Sequence, residues 1–177
     1  MPISRKLKHS NVGLPSNLLH AVGHVAALWA RIEYIIDSKM SEALALPGAP
    51  KVDPKMMVPF NQRLELLGQL CKQYLTDATD RGHAAQIIAD LKLLVAYRNL
   101  VVHGAVGNSK QRRKRRVVYR FRRIAWDTPP RIVERRALTV ADIEAFAAKL
   151  SDHVVYAGMI AVFFWSVERA LRGKGAQ

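Results

Sequence analysis

The stretch "HAAQIIADLKLLVAYRNLVVHG", residues 83–104, decides how the rest of the chain is read. At 100° per residue, Ile87, Leu91, Leu94, Val95, Val101 and Val102 share one broad face, which predicts an amphipathic helix over 83–103. Gly104 and the "GNSK" that follows at 107–110 are expected to stop it. Arg98 falls near the centre of the apolar face. Burying an unpaired guanidinium costs several kcal/mol, so Arg98 must have partners or line a cavity. Asn99 and His103 lie one turn apart on a neighbouring face that also carries Ala96, and His103 stands in the last turn, where the helix dipole favours a cation. Arg98 and His103 are about 140° apart on the helix, so a single motif converges poorly, whereas two motifs across a two-fold axis would form a shared cleft. A competing reading pairs Arg98 with a core carboxylate such as Glu33 and leaves His103 as a C-terminal cap.

The flanking sequence predicts more helices. Leu18, Val22, Val25, Trp29, Ile32 and Ile36 recur at four-three spacing from Ser16 to about Met40, with Ser16 or Asn17 as N-cap. "LPGAPKVDPKMMVPF" carries four prolines and must be a loop, and a second helix follows near Phe60 to Leu75. "TDATDRG" supplies a turn and fresh caps before the third helix. Beyond it, "VVYRFRRIAW" and "RIVERRAL", separated by "DTPP", read as a β-hairpin. Thr139 opens a last helix whose apolar positions run to Leu171; unbroken to Arg172 it would be about 50 Å long, and a kink near Gly158 is expected. The expected fold is all-α: a four- to five-helix up-and-down bundle in one domain of 177 residues, with a flexible basic N-terminus over 1–15 and a basic loop and β-hairpin inserted at 110–138.

Charge is concentrated in that insertion. Residues 110–136 hold twelve Lys and Arg (Lys110, Arg112, Arg113, Lys114, Arg115, Arg116, Arg120, Arg122, Arg123, Arg131, Arg135, Arg136) against Asp127 and Glu134, so +10 of the chain's +14 lies there. A nearly balanced body with a cationic block attached attracts polyanions, nucleic acid before anionic lipid. The plain alternative is a solvated loop that aids solubility. One cysteine, Cys71, fits a reducing compartment. "MPISRKLKHS" is followed by "NVGLPSN" and not by an apolar run, so a cytoplasmic location is expected. The longest charge-free apolar run, Val154 to Val167, is short of the roughly 20 residues that span a bilayer, which favours a buried or interface helix.

Other constellations carry less. His20 and His24 are spaced i, i+4 but lack a third ligand, "GAVGNSK" lacks P-loop spacing, and there is neither a serine elbow nor a zinc-type cluster, so neither metal nor cofactor is expected. Trp29, Trp126 and Trp165 are expected to pack. Trp126 and Tyr119, set among arginines, have base stacking as a second reading.

Arg98, Asn99 and His103, ending a long helix in a helical bundle, resemble the R-N-x-x-x-H signature of HEPN domains. The match covers the bundle broadly and six positions specifically. It implies a metal-independent endoribonuclease, usually a homodimer whose motif helices face one another, and many members serve as toxins in toxin–antitoxin pairs or in phage defence. An acidic antitoxin or regulatory protein is then an implied partner beside RNA. One branch of the family carries a Tyr two residues after the His; here that position is Ala105, and the basic hairpin is not part of the minimal bundle. The chemistry is coherent without the resemblance. A 2′-OH can attack the adjacent phosphate if an imidazole moves protons and a planar guanidinium holds the phosphorane oxygens, leaving a 2′,3′-cyclic phosphate and a 5′-OH. The alternative function is a non-catalytic nucleic-acid-binding or regulatory helical module that uses the 110–136 segment.

Overall fold

A computed structural model describes residues 14–52, 59–113, 116–125 and 131–174. Among these residues the chain forms four helices and one small sheet: α1 (Ser16–Leu44), α2 (Phe60–Tyr74), α3 (Ala78–His103), β1 (Ala105–Arg113), β2 (Arg116–Ala125), β3 (Arg131–Leu138) and α4 (Val140–Lys174). It is a helical bundle with an inserted antiparallel sheet.

The apolar stripe of α1 buries Leu18, Val25, Trp29, Ile32, Ile36 and Met40 almost completely, with Val22 partly covered. Its longest packing partner is α4, which contributes Ile143, Leu150, Ala157, Ile160, Phe164, Val167 and Leu171. Helices α2 and α3 run antiparallel, with Lys92 3.8 Å from Glu65 and Ile88 against Gly68. The end of α3 packs on the start of α4 through Tyr97 and Phe146, whose ring centroids are 4.3 Å apart.

Several boundaries differ from the sequence expectation, each for a local reason. Pro15, not Ser16 or Asn17, occupies the N-cap of α1 without a side-chain cap, and the Asn17 side chain accepts from the adjacent Leu18 N–H. Helix α3 begins at Ala78 because Asp77 caps it, accepting from the N–H groups of Thr79 and Asp80; Gly82 is carried inside the helix. Thr139 does open α4, through a reciprocal cap in which its hydroxyl accepts from Asp142 N–H while the Asp142 carboxylate takes Thr139 N–H. Helix α4 is continuous through Gly158.

The largest departure is the insertion. The expected hairpin is present as β2 and β3, and a third strand, β1, is added to it in the order β1-β2-β3. Strand β1 takes up 105–113, where a helix stop and a cationic loop were expected, by pairing Ala105 with Arg122 and Arg112 with Val117. Backbone pairing to β2 overrides the low strand propensity of these residues, and a charged strand is well suited to the edge it occupies. Tyr119, Phe121 and Leu138 join the helical core and anchor the sheet to it. The base-stacking alternative for Tyr119 therefore fails: strand alternation turns it inward, to 6% exposure. Trp165 departs the other way, 59% exposed instead of packed. Trp126, Lys114, Arg115 and the N-terminal 1–13 lie outside the described residues.

Cys71 provides a test of the core. Burial among apolar groups pushes its thiol up to about 11, so almost no thiolate exists at pH 8. A disulfide reagent such as DTNB should react at least 100-fold more slowly with the native protein than with the denatured chain. Equal rates would place Cys71 outside the core.

Candidate active site

Helix α3 delivers Arg98 to the edge of the core, with 20% of its side chain exposed. Its guanidinium lies over the Trp29 ring at 5.5 Å from the centroid, and its Nη2 is 3.9 Å from Glu33 Oε2 on α1. Nη1 makes the shorter contacts: it donates to Asn99 Oδ1 at 2.8 Å and lies 2.8 Å from His103 Nε2. A guanidinium has only donors, so in this contact His103 Nε2 is the acceptor. Both hydrogens of Nη1 are thereby used, while Nε is buried and has no hydrogen-bond partner among the described residues.

This geometry overturns the expectation that one motif converges poorly. The helical wheel places Cβ atoms 140° apart, but the arginine stem extends its guanidinium several Å beyond Cβ and toward the helix end. Arg98, Asn99 and His103 meet within one chain. A second copy is not needed to bring them together. The ion pair that the competing reading assigned to Arg98 is also present, although at 3.9 Å it is its loosest polar contact.

Behind the three residues, α1, α2 and α3 enclose a cleft of about 310 Å³ lined by Trp29, Glu33, Phe60, Arg63, Arg98 and Asn99. Arg63 bonds Asp37 at 2.6 Å and Glu33 at 3.2 Å. Burial pushes the Asp37 carboxyl above the usual carboxylate range, against the opposing pull of Arg63. Glu33 thus lies between two guanidinium groups, nearer to Arg63 at 3.2 Å than to Arg98 at 3.9 Å. Arg63 and Asp37 escaped the sequence reading; the i, i+4 carboxylates Glu33 and Asp37 beside the α1 stripe were the available signal.

The end of α3 also sets the position of the sheet. A Cβ on Gly104 would lie 2.0 Å from Leu100 O and 3.5 Å from Arg122 O, so only glycine lets the chain turn directly from helix into β1. Register then assigns the cations to two faces. On the inner face Arg123 reaches Glu134 at 3.7 Å, and Arg136 reaches it at 2.8 Å while lying over the Tyr97 ring. The outer face carries exposed Arg120, Arg122 and Arg135. Arg122 and Arg135 are direct cross-strand partners, and neither has a carboxylate partner among the described residues. Opposed like charges about 5 Å apart destabilise a sheet unless an anion lies between them. Arg122 is also paired with Ala105, two residues from His103. The backbones of Lys110, Arg112 and Arg113 lie in β1, and Arg116 begins β2. Of the cations expected to bind nucleic acid, Arg123 thus shares Glu134 with Arg136, while Arg135 belongs with Arg122.

His20 and His24 are exposed with ring centroids 6.5 Å apart, and no group of three potential metal ligands occurs among the described residues. No family model, no curated protein and no solved structure matches the chain.

The contacts predict different costs for two substitutions. Arg98→Ala should lower the melting temperature by the few degrees that about 1–2 kcal/mol represents in a domain of this size, since Glu33 and Asn99 lose a charged partner. His103→Ala, at an exposed helix end, should leave the melting curve essentially unchanged. Global unfolding of the Arg98 variant would instead make that residue a purely structural keystone.

Proposed function

We propose that this protein is a HEPN-like, metal-independent endoribonuclease whose catalytic residues are Arg98, Asn99 and His103. The observation that carries the reading is the 2.8 Å contact of Arg98 Nη1 with both Asn99 Oδ1 and His103 Nε2, at a helix end that leads directly into a cationic strand. A structural ion pair would need only Glu33 and would not gather an imidazole on the solvent side.

The reaction follows from the donors and acceptors. A phosphodiester oxygen competes with His103 for Arg98 Nη1, and its charge makes it the better acceptor. Binding therefore frees the Nε2 lone pair, which takes the proton of the neighbouring 2′-OH. The 2′-oxygen forms a bond to phosphorus as the bond to the 5′-oxygen breaks, while Arg98 holds the equatorial oxygens and Asn99 orients the guanidinium. The departing 5′-oxygen gains its proton from the imidazolium or from water. Products are a 2′,3′-cyclic phosphate and a 5′-OH.

The outer sheet face supplies the grip on RNA. Arg122 and Arg135 lie where a phosphate backbone entering the site would relieve their mutual repulsion, and the 110–116 run, next to β2 in sequence, adds to the cationic charge. An acidic antitoxin or regulatory protein would bind to the same cations, and a role as a toxin or in phage defence is part of this proposal. A second reading, a non-catalytic nucleic-acid-binding module, rests on the Arg98–Glu33 contact and leaves the sheet's role unchanged.

Two experiments test this. RNA incubated with the wild type in EDTA should be cut to ends carrying cyclic phosphate, and His103→Ala should lose at least 100-fold in rate while remaining folded. Equal rates, or no cleavage by a folded wild type on any RNA, would leave only the binding module. For affinity, each of Arg122→Gln and Arg135→Gln should reduce the salt slope on single-stranded RNA by about 0.7, whereas Arg123→Gln, already paired with Glu134, should change it little. An equal effect of all three would contradict the assignment of faces.

A further inference from the structure

The cleft of about 310 Å³ between α1, α2 and α3 has Arg98 and Asn99 in its wall. Its size is at the lower end for ligand sites, enough for one nucleobase and too small for a duplex. The buried side-chain atoms that lack a hydrogen-bond partner among the described residues are Trp29 Nε1, Asp37 Oδ1, Arg63 Nε and Arg98 Nε. Trp29, Arg63 and Arg98 line the cleft, and Asp37 is bonded to Arg63. Native folds pair nearly all such atoms, so exceptions gathered around one cleft call for a functional account.

The lining sets donors beside an acceptor. Two guanidinium groups stand in it, Arg98 backed by the Trp29 ring and Arg63 by the Phe60 ring. Three of the orphaned atoms are N–H donors, so this neighbourhood favours acceptor atoms on a ligand. Glu33 stands between the arginines and opposes that preference at one point. Its Oε1 accepts from Arg63 at 3.2 Å, whereas Oε2 comes no closer than 3.9 Å to Arg98 and takes no hydrogen bond from a described residue. A fitting ligand therefore presents N–H donors to Glu33 and acceptors to the arginines beside it. Among the RNA bases this is guanine, whose N1–H and N2–H adjoin the acceptors O6 and N7. Adenine and cytosine set a ring-nitrogen acceptor next to their amino group, and uracil flanks its N–H with two carbonyls. Each of these would turn an acceptor toward the carboxylate.

We propose that this cleft receives a guanine base adjoining the phosphate held by Arg98, and that Glu33 determines the specificity. The position of the phosphate rests on the ribonuclease reading; the chemistry of the cleft does not. Arg98 lines the cleft and also reaches Asn99 and His103 through Nη1. A base in the cleft and a phosphate at Nη1 thus share one side chain, as the two ends of a single nucleotide require. A bare anion is the competing occupant, and the Glu33 carboxylate in the lining disfavours it.

Equilibrium binding of the ribonucleoside 3′-monophosphates to the full chain tests this without relying on cleavage. Guanosine 3′-monophosphate should bind about tenfold or more tightly than its adenosine, cytidine and uridine counterparts. Inosine 3′-monophosphate, which lacks the N2 amino group, should lose much of that advantage. Glu33→Gln should remove the preference by weakening guanosine alone. A loss shared by every nucleotide would show that Glu33 only positions Arg98, and would overturn the inference. So would a folded Glu33→Gln protein that keeps the preference. Should this variant fail to fold, the inosine comparison decides. Equal affinities, inosine binding as tightly as guanosine, or no binding of any nucleotide would each overturn the inference as well. RNA cleavage separates the two readings. Cuts without regard to base, together with equal affinities, would leave the ribonuclease and remove the guanine cleft; a guanosine preference without cleavage would do the reverse.

Discussion

The guanidinium of Arg98 is the constraint around which the candidate site is arranged. It stands on the core-facing side of α3, where an unpaired charge costs more than the burial of a neighbouring leucine returns. Its partners come from two helices: α1 provides Glu33 and the Trp29 face, and α3 itself provides Asn99 and His103, while Arg63 of α2 shares Glu33 at 3.2 Å. Removing the charge would simplify the core. Retaining it holds a planar cation in a fixed orientation at the mouth of a cleft, with an imidazole on its solvent side. That arrangement is suited to an incoming anion, because phosphate satisfies the same donors more strongly than imidazole does.

The second constraint is geometric and acts at Gly104. Because the chain turns there without a Cβ, α3 and β1 are continuous, and the paired Ala105 and Arg122 fall beside the motif. The sheet then separates its cations by strand parity: Arg123 and Arg136 turn inward onto Glu134, and Arg120, Arg122 and Arg135 turn outward. A charge block that looks uniform in one dimension has one face whose two arginines share Glu134 and another on which Arg122 and Arg135 oppose each other.

What could be read from residues alone follows the same physics. The stripe of α1 and the start of α4 at Thr139 were legible because four-three spacing and an N-cap are local signals. Strand β1 was not, because Gly, Asn, Ser, Lys and Arg carry no strand signal and the strand exists only through pairing with β2. Arg98 was placed on the core-facing side of the helix, and its 3.9 Å contact with Glu33 is the one that the competing structural reading named. The meeting of Arg98 with His103 was missed because a wheel tracks Cβ directions and ignores the reach of a long side chain. That correction removes the geometric reason for expecting a dimer.

The central claim is that Arg98, Asn99 and His103 act together within one chain. Mixing tests it most directly. Arg98→Ala and His103→Ala proteins, each folded, would be co-refolded in equal amounts and assayed on RNA beside the wild type. A site complete within one chain predicts cleavage by the wild type and none by the mixture. Recovery of a substantial fraction of wild-type activity on mixing would show that the site is assembled across two chains, and would contradict the account.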